Sequence, residues 1–477
     1  MRFSFIKVVG LSFLVYFLSW FLVYLVGVNS LAIQSEDTLP AVFLPVSIIK
    51  GEGLYLDKYY DMLLDRYPHP DDKDYQRGLT PFYLRKVGSH YVSAFPIMTG
   101  ILAVPVYFFP VIFNMSITWE HLIFLSHISS ALIVALSGGF FYLLLKRRFS
   151  RNEKQAIALS AVYLFGTVNF ALISQALWQH GALQLFVILG LYFLLGCSRE
   201  GTGKAANKAA RKRDFKNLFL SGMFFGFAVL SRPTAGLVLA VIPALVFHKN
   251  LMVLAKRGLQ VALGLAVPVL FFFWYNKSFY LSVANQGYSN QLLISWLSPF
   301  PEGFLGTWVS PSKGILVYSP VLVFSLVGLF LVMKSLVPSV KKISQENLGY
   351  LAFGVVVILH TLILSLWKHW YGGWSFGYRM SSDVIPLLVL LIIPFLDSSL
   401  FQKYKKLFFG LLIFSVLVQI FGMIFFDGIW HAAYDLGFED TSWLWSIKDS
   451  ELLFNIRRVL VKVGLLRQAC PKCSPLL

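Results

Sequence analysis

Glu36 and Asp37 form an adjacent acid pair directly after a long apolar stretch, at the start of a polar segment, Ser35 to Ser93. The same segment carries Asp57, Asp61, Asp65, Asp71, Asp72 and Asp74. Ionised carboxylates beside hydrocarbon are expensive, so a pair held at a bilayer edge is a functional candidate. The unusual cations and histidines occur at the ends of apolar stretches: Arg85-Lys86, His90, His180 in Trp178-Gln179-His180, Arg232, Lys313 and Arg379. A carboxylate within about 3 Å of a hydroxyl can act as a general base. Guanidinium groups hold phosphate oxygens bidentately and an ammonium serves as a point charge. Acid pair and cations together suit attack by a hydroxyl with departure of a phosphate.

Each residue also has a plainer reading. Glu36-Asp37 is alternatively a helix-end charge pair, with Asp37 capping a helix that starts at Thr38. Arg232 before a proline fits a snorkelling side chain at a turn, His180 an interfacial residue and Lys313 a span anchor. Trp367, Trp370 and Trp374 fit an aromatic belt, and Gly372-Gly373 a turn. Asp57, Asp61 and Asp65, interleaved with Tyr55, Tyr59 and Tyr60, are spaced for an amphipathic juxtamembrane helix. His69, Asp71, Asp72 and Asp74 have no diagnostic ligand spacing, and no metal site is expected. The functional reading rests on all these positions meeting on one surface.

The elements that must position them are membrane helices. Of 477 residues 57% are hydrophobic and 13% charged, with a mean hydropathy of +0.69, against roughly 25% charged in a soluble domain. The 45 Phe suit lipid-facing helices. The net charge of +18 reads as cytoplasmic loop bias, so nucleic acid is not expected as a partner. Three cysteines make no disulfide framework. Cys197 falls in an expected span, and Cys470-Pro-Lys-Cys473 is a lone pair in a tail expected to fray, with a redox pair or half a metal site as alternatives.

Crossing about 30 Å of hydrocarbon takes about 20 helical residues. The first helix is expected at 5–29 and read as retained rather than cleaved. Residues 94–113, interrupted by Pro96, Pro105 and Pro110, are assigned to an interfacial or re-entrant helix, and 121–145 to the second crossing. That choice places Lys146-Arg147-Arg148-Phe149-Ser150-Arg151 inside. Further spans follow at 155–174 and 180–197, then a basic loop Arg199–Lys216. A hairpin of 217–231 and 234–248 turns outside at Ser231-Arg232-Pro233-Thr234. The last spans are 258–276, 314–333, 348–367, 383–397 and 407–426. The result is an all-α integral membrane protein of about 11 transmembrane helices, with the N-terminus inside and the C-terminus outside. About 23 of the 41 basic and about 5 of the 23 acidic residues then lie inside, so the whole excess of +18 sits there. Every candidate site residue falls on the outer side.

The order of these motifs resembles a known superfamily. An acid follows the first helix, and Gly88-Ser89-His90-Tyr91-Val92-Ser93-Ala94-Phe95-Pro96 leads into a Pro-broken helix. Leu177-Trp178-Gln179-His180-Gly181, Ser231-Arg232-Pro233-Thr234, Ser310-Pro311-Ser312-Lys313-Gly314 with Tyr318-Ser319-Pro320, and Gly373-Trp374-Ser375-Phe376-Gly377-Tyr378-Arg379 follow. The chain resembles the GT-C superfamily of polytopic glycosyltransferases, on the branch with protein O-mannosyltransferases and the lipid A aminoarabinose transferase. The resemblance implies a GT-C-type fold, a sugar donor on polyprenyl phosphate, an extracytoplasmic site, inversion at the anomeric carbon and a first-loop acid as base. Asp37 matches that acid best, with Glu36 beside it in the reverse of the Asp-Glu order common in relatives. Arg85, Lys86, His90, His180, Arg232, Lys313 and Arg379 are the candidate substrate-binding residues.

On this reading residues 1–276 form a catalytic module that includes the first extracytoplasmic loop, 30–120. Residues 277–427 add transmembrane helices with outer loops 277–312 and 368–382, and 428–477 form an extracytoplasmic tail. The expected partners are the bilayer of the cell inner membrane, a polyprenyl-phosphate sugar donor and an acceptor that is lipid, glycan or protein. No cofactor is required, and a divalent metal is left open. Loop 277–312 and tail 428–477 are candidates for acceptor recognition. The rival classes are a transporter or flippase of lipid-linked sugars, which would place charges near mid-membrane and show paired halves, and a non-enzymatic envelope assembly subunit.

Overall fold

A chain in hydrocarbon has to satisfy its backbone N–H and C=O groups internally, so each of the eleven apolar stretches coincides with helical segments in the computed structural model. The structure describes residues 2–26, 35–73, 76–197, 208–283, 298–336 and 344–470. Asp74, Cys473, much of the 199–216 loop and the middle of the 277–312 loop lie outside the described residues. Among those described, six helices are long and apolar enough to cross a bilayer: Phe5–Leu25, Trp119–Arg147, Leu251–Phe279, Gln345–Ser365, Arg379–Leu396 and Ser399–Phe425. Shorter apolar helices cover Met98–Ile112, Gln179–Leu194, Pro233–Leu245 and Pro320–Leu336. This is a multi-pass membrane protein.

Helix α1 (Arg2–Leu25) is largely exposed along its apolar length, whereas α5 (Trp119–Arg147) is largely enclosed. Thr118 caps α5 by accepting from the His121 N–H, and its 29 residues extend ~43 Å. Between them, the first loop folds as α2 (Leu39–Ile49), α3 (Tyr60–Arg66), a two-stranded hairpin and α4 (Met98–Ile112). Strands β1 (Leu84–Val87) and β2 (His90–Ser93) pair antiparallel with Val87 opposite His90, and Gly88 at φ +61° makes their two-residue turn. Helix α4 holds Pro105 and Pro110 and reaches only ~22 Å over 15 residues, short of a bilayer crossing.

Two expected spans are interrupted. Instead of a continuous 155–174 helix, α6 (Glu153–Phe165) stops at Gly166 and a π-helical turn covers Asn169–Ile173. Thr167 Oγ1 and Asn169 Nδ2 both bond the Tyr163 carbonyl, at 2.7 and 3.0 Å, and divert the backbone from its regular partner. The Tyr163 hydroxyl reaches Gln184 of α7 (Gln179–Leu194) at 2.7 Å, and Gln184 Nε2 bonds the Ser382 carbonyl at 2.9 Å. After α8 (Lys208–Ser231), the second arm of the expected hairpin is a 3-10 helix, Pro233–Ala240, running into α9 (Val241–Leu245).

Helix α10 (Leu251–Phe279) crosses α8 with backbones nearly touching. A Cβ on Gly264 would lie 1.9 Å from the Phe219 carbonyl oxygen, and one on Gly222 2.0 Å from that of Val261. Small residues at a crossing allow this approach in lipid, where packing rather than hydrophobicity drives association.

The tail is folded up to Cys470, and the rest of the Cys470–Cys473 stretch expected to fray lies outside the described residues. Trp370, Tyr371, Trp430, Trp443, Phe454 and Cys470 form a second small core outside the bundle, with Cys470 buried and disulfide-bonded. Trp370 is therefore a core residue, not part of an interfacial belt; Trp374 is exposed and donates to Asp435 at 3.0 Å.

Candidate active site

The first-loop acid and the last basic motif meet. Ser35 caps the 3-10 turn Glu36–Thr38 by accepting from the Asp37 N–H at 3.3 Å, which leaves the Asp37 carboxylate free to point elsewhere. The alternative in which Asp37 caps the helix is thereby replaced: Asp37 Oδ2 accepts from Arg379 Nη1 at 2.6 Å. Both side chains stay partly accessible, 25% for Asp37 and 12% for Arg379. Glu36 is half-buried, and its carboxyl is raised above the usual range by burial and by the Asp37 charge.

Arg379 is placed by the 367–378 loop. Gly372, Gly373 and Gly377 all adopt positive φ, +83°, +61° and +62°. At Gly372 a Cβ would press on Met380 Cγ at 3.1 Å and Arg379 Nε at 3.4 Å, so glycine there admits the turn and leaves the arginine room. The guanidinium lies 4.6 Å over the Trp178 ring. Its Nε is buried without a hydrogen-bond partner among the described residues, and an unsatisfied buried donor calls for an acceptor.

Four residues on, Asp383 is fully buried and gathers three elements. His180 Nδ1 lies 2.6 Å from one of its oxygens. The other oxygen meets Arg232 Nη1 at 3.0 Å, Thr234 Oγ1 at 2.9 Å and His360 Nε2 at 3.2 Å. The Arg232 and Asp383 charges cancel, which is what burial of either requires. His180 and Arg232 thus come together as expected, but around an acid that the motif reading did not single out. The available signal was positional: Asp383 is the only acid between Arg379 and Leu396, and an acid in an apolar span demands a partner.

Lys313 is buried behind the same loop. Its ammonium donates to the Ser375 carbonyl, contacts His431 Nε2 at 3.0 Å and sits 5.5 Å over Trp430. Burial brings it down to about 8, against the opposing pull of Glu451. Burial pushes Glu451 up to about 7, with Lys313 opposing, and the Tyr318 hydroxyl donates to it at 2.9 Å. Burial and then Lys313 hold His431 well below its ordinary value. Lys313 therefore ties the Arg379 loop to the tail.

The hairpin residues form a separate group. His90 pairs with Asp57 at 2.7 Å and stacks on Tyr55 at 4.3 Å between centroids. Lys86 lies 5.7 Å over Tyr91 and is exposed, while Arg85 is half-buried within electrostatic reach of Tyr280. Among the described residues no group of three or more His, Cys, Asp or Glu is arranged to hold a metal ion.

No family model and no curated protein matches the chain by sequence. Among solved structures, ArnT from Cupriavidus metallidurans bound to undecaprenyl phosphate superposes with a TM-score of 0.50 at 15% identity, over 97% of this chain and 73% of that one. Its apo state gives 0.46 at 15% identity, over 97% and 72%. The archaeal oligosaccharyltransferase AglB from Archaeoglobus fulgidus, in complex with an inhibitory peptide and a dolichol-phosphate, gives 0.42 at 11% identity, over 94% and 60%. The extent of the ArnT superposition, 97% of this chain, shows that it has the GT-C-type fold.

Proposed function

We propose that this protein is a membrane glycosyltransferase that moves a sugar from a polyprenyl-phosphate donor to an extracytoplasmic acceptor, with Asp37 as general base. The observation that carries the reading is the 2.6 Å contact between Asp37 and Arg379, residues 342 positions apart, with both side chains partly accessible. The ArnT structure with the same fold holds undecaprenyl phosphate. In the proposed reaction Asp37 takes the proton of an acceptor hydroxyl, whose oxygen attacks the anomeric carbon with inversion. The bond from that carbon to the phosphate oxygen breaks, and its electron pair leaves on polyprenyl phosphate. Arg379 stabilises the departing charge with the donor groups that Asp37 does not use. As it turns to the phosphate it loosens its hold on Asp37, so donor binding releases the base.

Arg85, Lys86 and His90, a separate group on the first-loop hairpin, are proposed as further phosphate or sugar contacts. Arg232 and Lys313, candidates for the phosphate, and His180, a candidate substrate-binding residue, are assigned instead to holding the Arg379 segment in place. The reaction requires no cofactor. The cell inner membrane is the proposed location, with the site and tail on the extracytoplasmic side.

The test is mass spectrometry of lipid-linked sugars and surface glycans from a strain lacking the gene, complemented by variants. Asp37→Asn should insert normally and restore no product, and Glu36→Gln should restore it. The reverse pattern would move the base to Glu36, whose raised carboxyl is the feature that favours it. Product from both variants would refute the assignment. With purified protein, undecaprenyl phosphate should raise the melting temperature of the wild type and not of Arg379→Met.

A further inference from the structure

At the end of the bundle away from Asp37, the basic run after α5 lines a partly enclosed cavity of about 400 Å³. The two ends are linked by one segment: Arg379–Leu396 begins with the arginine on Asp37 and stops just before Asp397, which pairs with Arg151. Arg147, Arg148, Arg151 and Arg257 all line the cavity, against one acid, Glu346.

Cations at helix ends serve membrane topology wherever they point, but these are built into place. The turn that carries them is closed by backbone bonds from Arg148 and Phe149 to the Leu144 carbonyl and from Arg151 to that of Leu145, at 2.9, 3.3 and 3.1 Å. Asn152 caps the next helix, accepting from the Gln155 N–H at 2.9 Å. Arg148 stacks 4.4 Å over the Tyr192 ring and donates Nε to the Tyr192 carbonyl at 2.8 Å, while Arg147 donates to the Tyr192 hydroxyl at 2.9 Å. A Cβ on Gly196 would lie 2.5 Å from Arg148 Nη2, so glycine there leaves space for the guanidinium.

Neither Arg147 nor Arg148 has a carboxylate partner among the described residues. Asp397 pairs with Arg151, Glu346 accepts from the Tyr350 hydroxyl at 3.2 Å, and Glu153 takes Lys146 at 3.2 Å. Arg213 and Asp214 add one nearby charge of each sign. Two guanidinium groups held on Tyr192, with donors to spare and facing a partly enclosed space, suit an anion with several oxygens. Leu194, Leu245 and Phe353 also line the cavity and suit a ligand with an apolar portion.

We propose that this cavity is a second anion site that binds a phosphate ester, for which the nearest source is the headgroup of an anionic membrane lipid. Its size lies within the range of small-molecule sites, roughly 300–1,000 Å³, and basic pockets between helices on the cytoplasmic side are recognised headgroup sites. It is distinct from the Asp37–Arg379 site and holds whatever the proposed reaction proves to be.

The full-length chain, delipidated in a neutral detergent, tests it by native mass spectrometry against phosphatidylglycerol and phosphatidylcholine. Phosphatidylglycerol should bind, and R147Q/R148Q should weaken it about tenfold or more. K405Q/K406Q, on exposed positions of the helix Ser399–Phe425, removes the same charge and should leave binding unchanged. A photoactivatable phosphatidylglycerol should label residues 145–151 of the wild type, which keeps the test valid if the double variant folds poorly. Competition by glycerol 3-phosphate would assign the site to a soluble ester of the same chemistry, and its absence to the lipid. Equal affinity for both lipids, undiminished binding in R147Q/R148Q, or labelling elsewhere would overturn the proposal.

Discussion

Asp383→Asn is the most informative perturbation of the buried scaffold behind Arg379. The wild-type cluster has one carboxylate, one guanidinium, two imidazoles and the Thr234 hydroxyl, with Asp383 wholly buried and Arg232 7% exposed. The amide keeps the shape but leaves the Arg232 charge in the interior without its counterion. Breaking a buried pair this way costs about 3–5 kcal/mol. For a chain of 477 residues, that lowers the unfolding midpoint by ~1 °C per kcal/mol, hence several degrees. The assay is a double-mutant cycle with Arg232→Met, read by thermal unfolding in detergent. Because Arg232→Met in the Asn background removes the stranded charge, the double variant should be less destabilised than the sum of the singles, with a coupling of about 2 kcal/mol or more. Asp383 sits on the 3-10 turn that starts at Arg379, so Asp383→Asn should also weaken undecaprenyl phosphate binding. A cost below about 1 kcal/mol, or strictly additive effects, would refute the view that this charge is held only by its partner.

Buried Lys313 and Glu451 together predict a stability minimum near pH 7–8. Glu451 is raised to about 7, so the folded state holds the extra proton between its unfolded value and 7, and stability falls as pH rises through that window. Lys313 is lowered to about 8, so the unfolded state binds more protons between 8 and its ordinary range, and stability rises with pH there. Glu451→Gln should flatten the acid arm and Lys313→Met the alkaline arm of melting temperature against pH; unchanged arms would refute the linkage. Gly264→Ala should cost several kcal/mol or prevent folding, because its Cβ would overlap the Phe219 carbonyl at 1.9 Å. Gly258→Ala on the same helix meets nothing within 4 Å and should be neutral or stabilising by up to about 1 kcal/mol. Equal melting of the two variants would refute the close crossing.

Much of the candidate site was legible because membrane proteins are constrained at helix ends. A carboxylate or guanidinium beside hydrocarbon has few roles, so Asp37, His180, Arg232, Lys313 and Arg379 stood out by position alone. What position did not reveal is which charges neutralise one another. Arg232 read as a ligand for phosphate and His180 as a substrate-binding residue, yet a buried guanidinium takes the closest carboxylate, and Asp383 arrives from a segment 151 residues away. Lys313 likewise faces carbonyls and His431. The interrupted 155–174 helix was illegible for another reason: Thr167 and Asn169 break it only because Tyr163 and Gln184 offer partners in three dimensions.

Composition and hydrophobic period were sufficient for the class, the helical segments and the short Pro-broken α4, because solvation in lipid acts on each segment by itself. Tertiary structure decided the pairing of Asp37 with Arg379, the burial of Asp383 and the second core that orders the tail. Those depend on distances between remote segments, and the energy of a charge is set by its neighbours within a few ångströms rather than by its place along the chain.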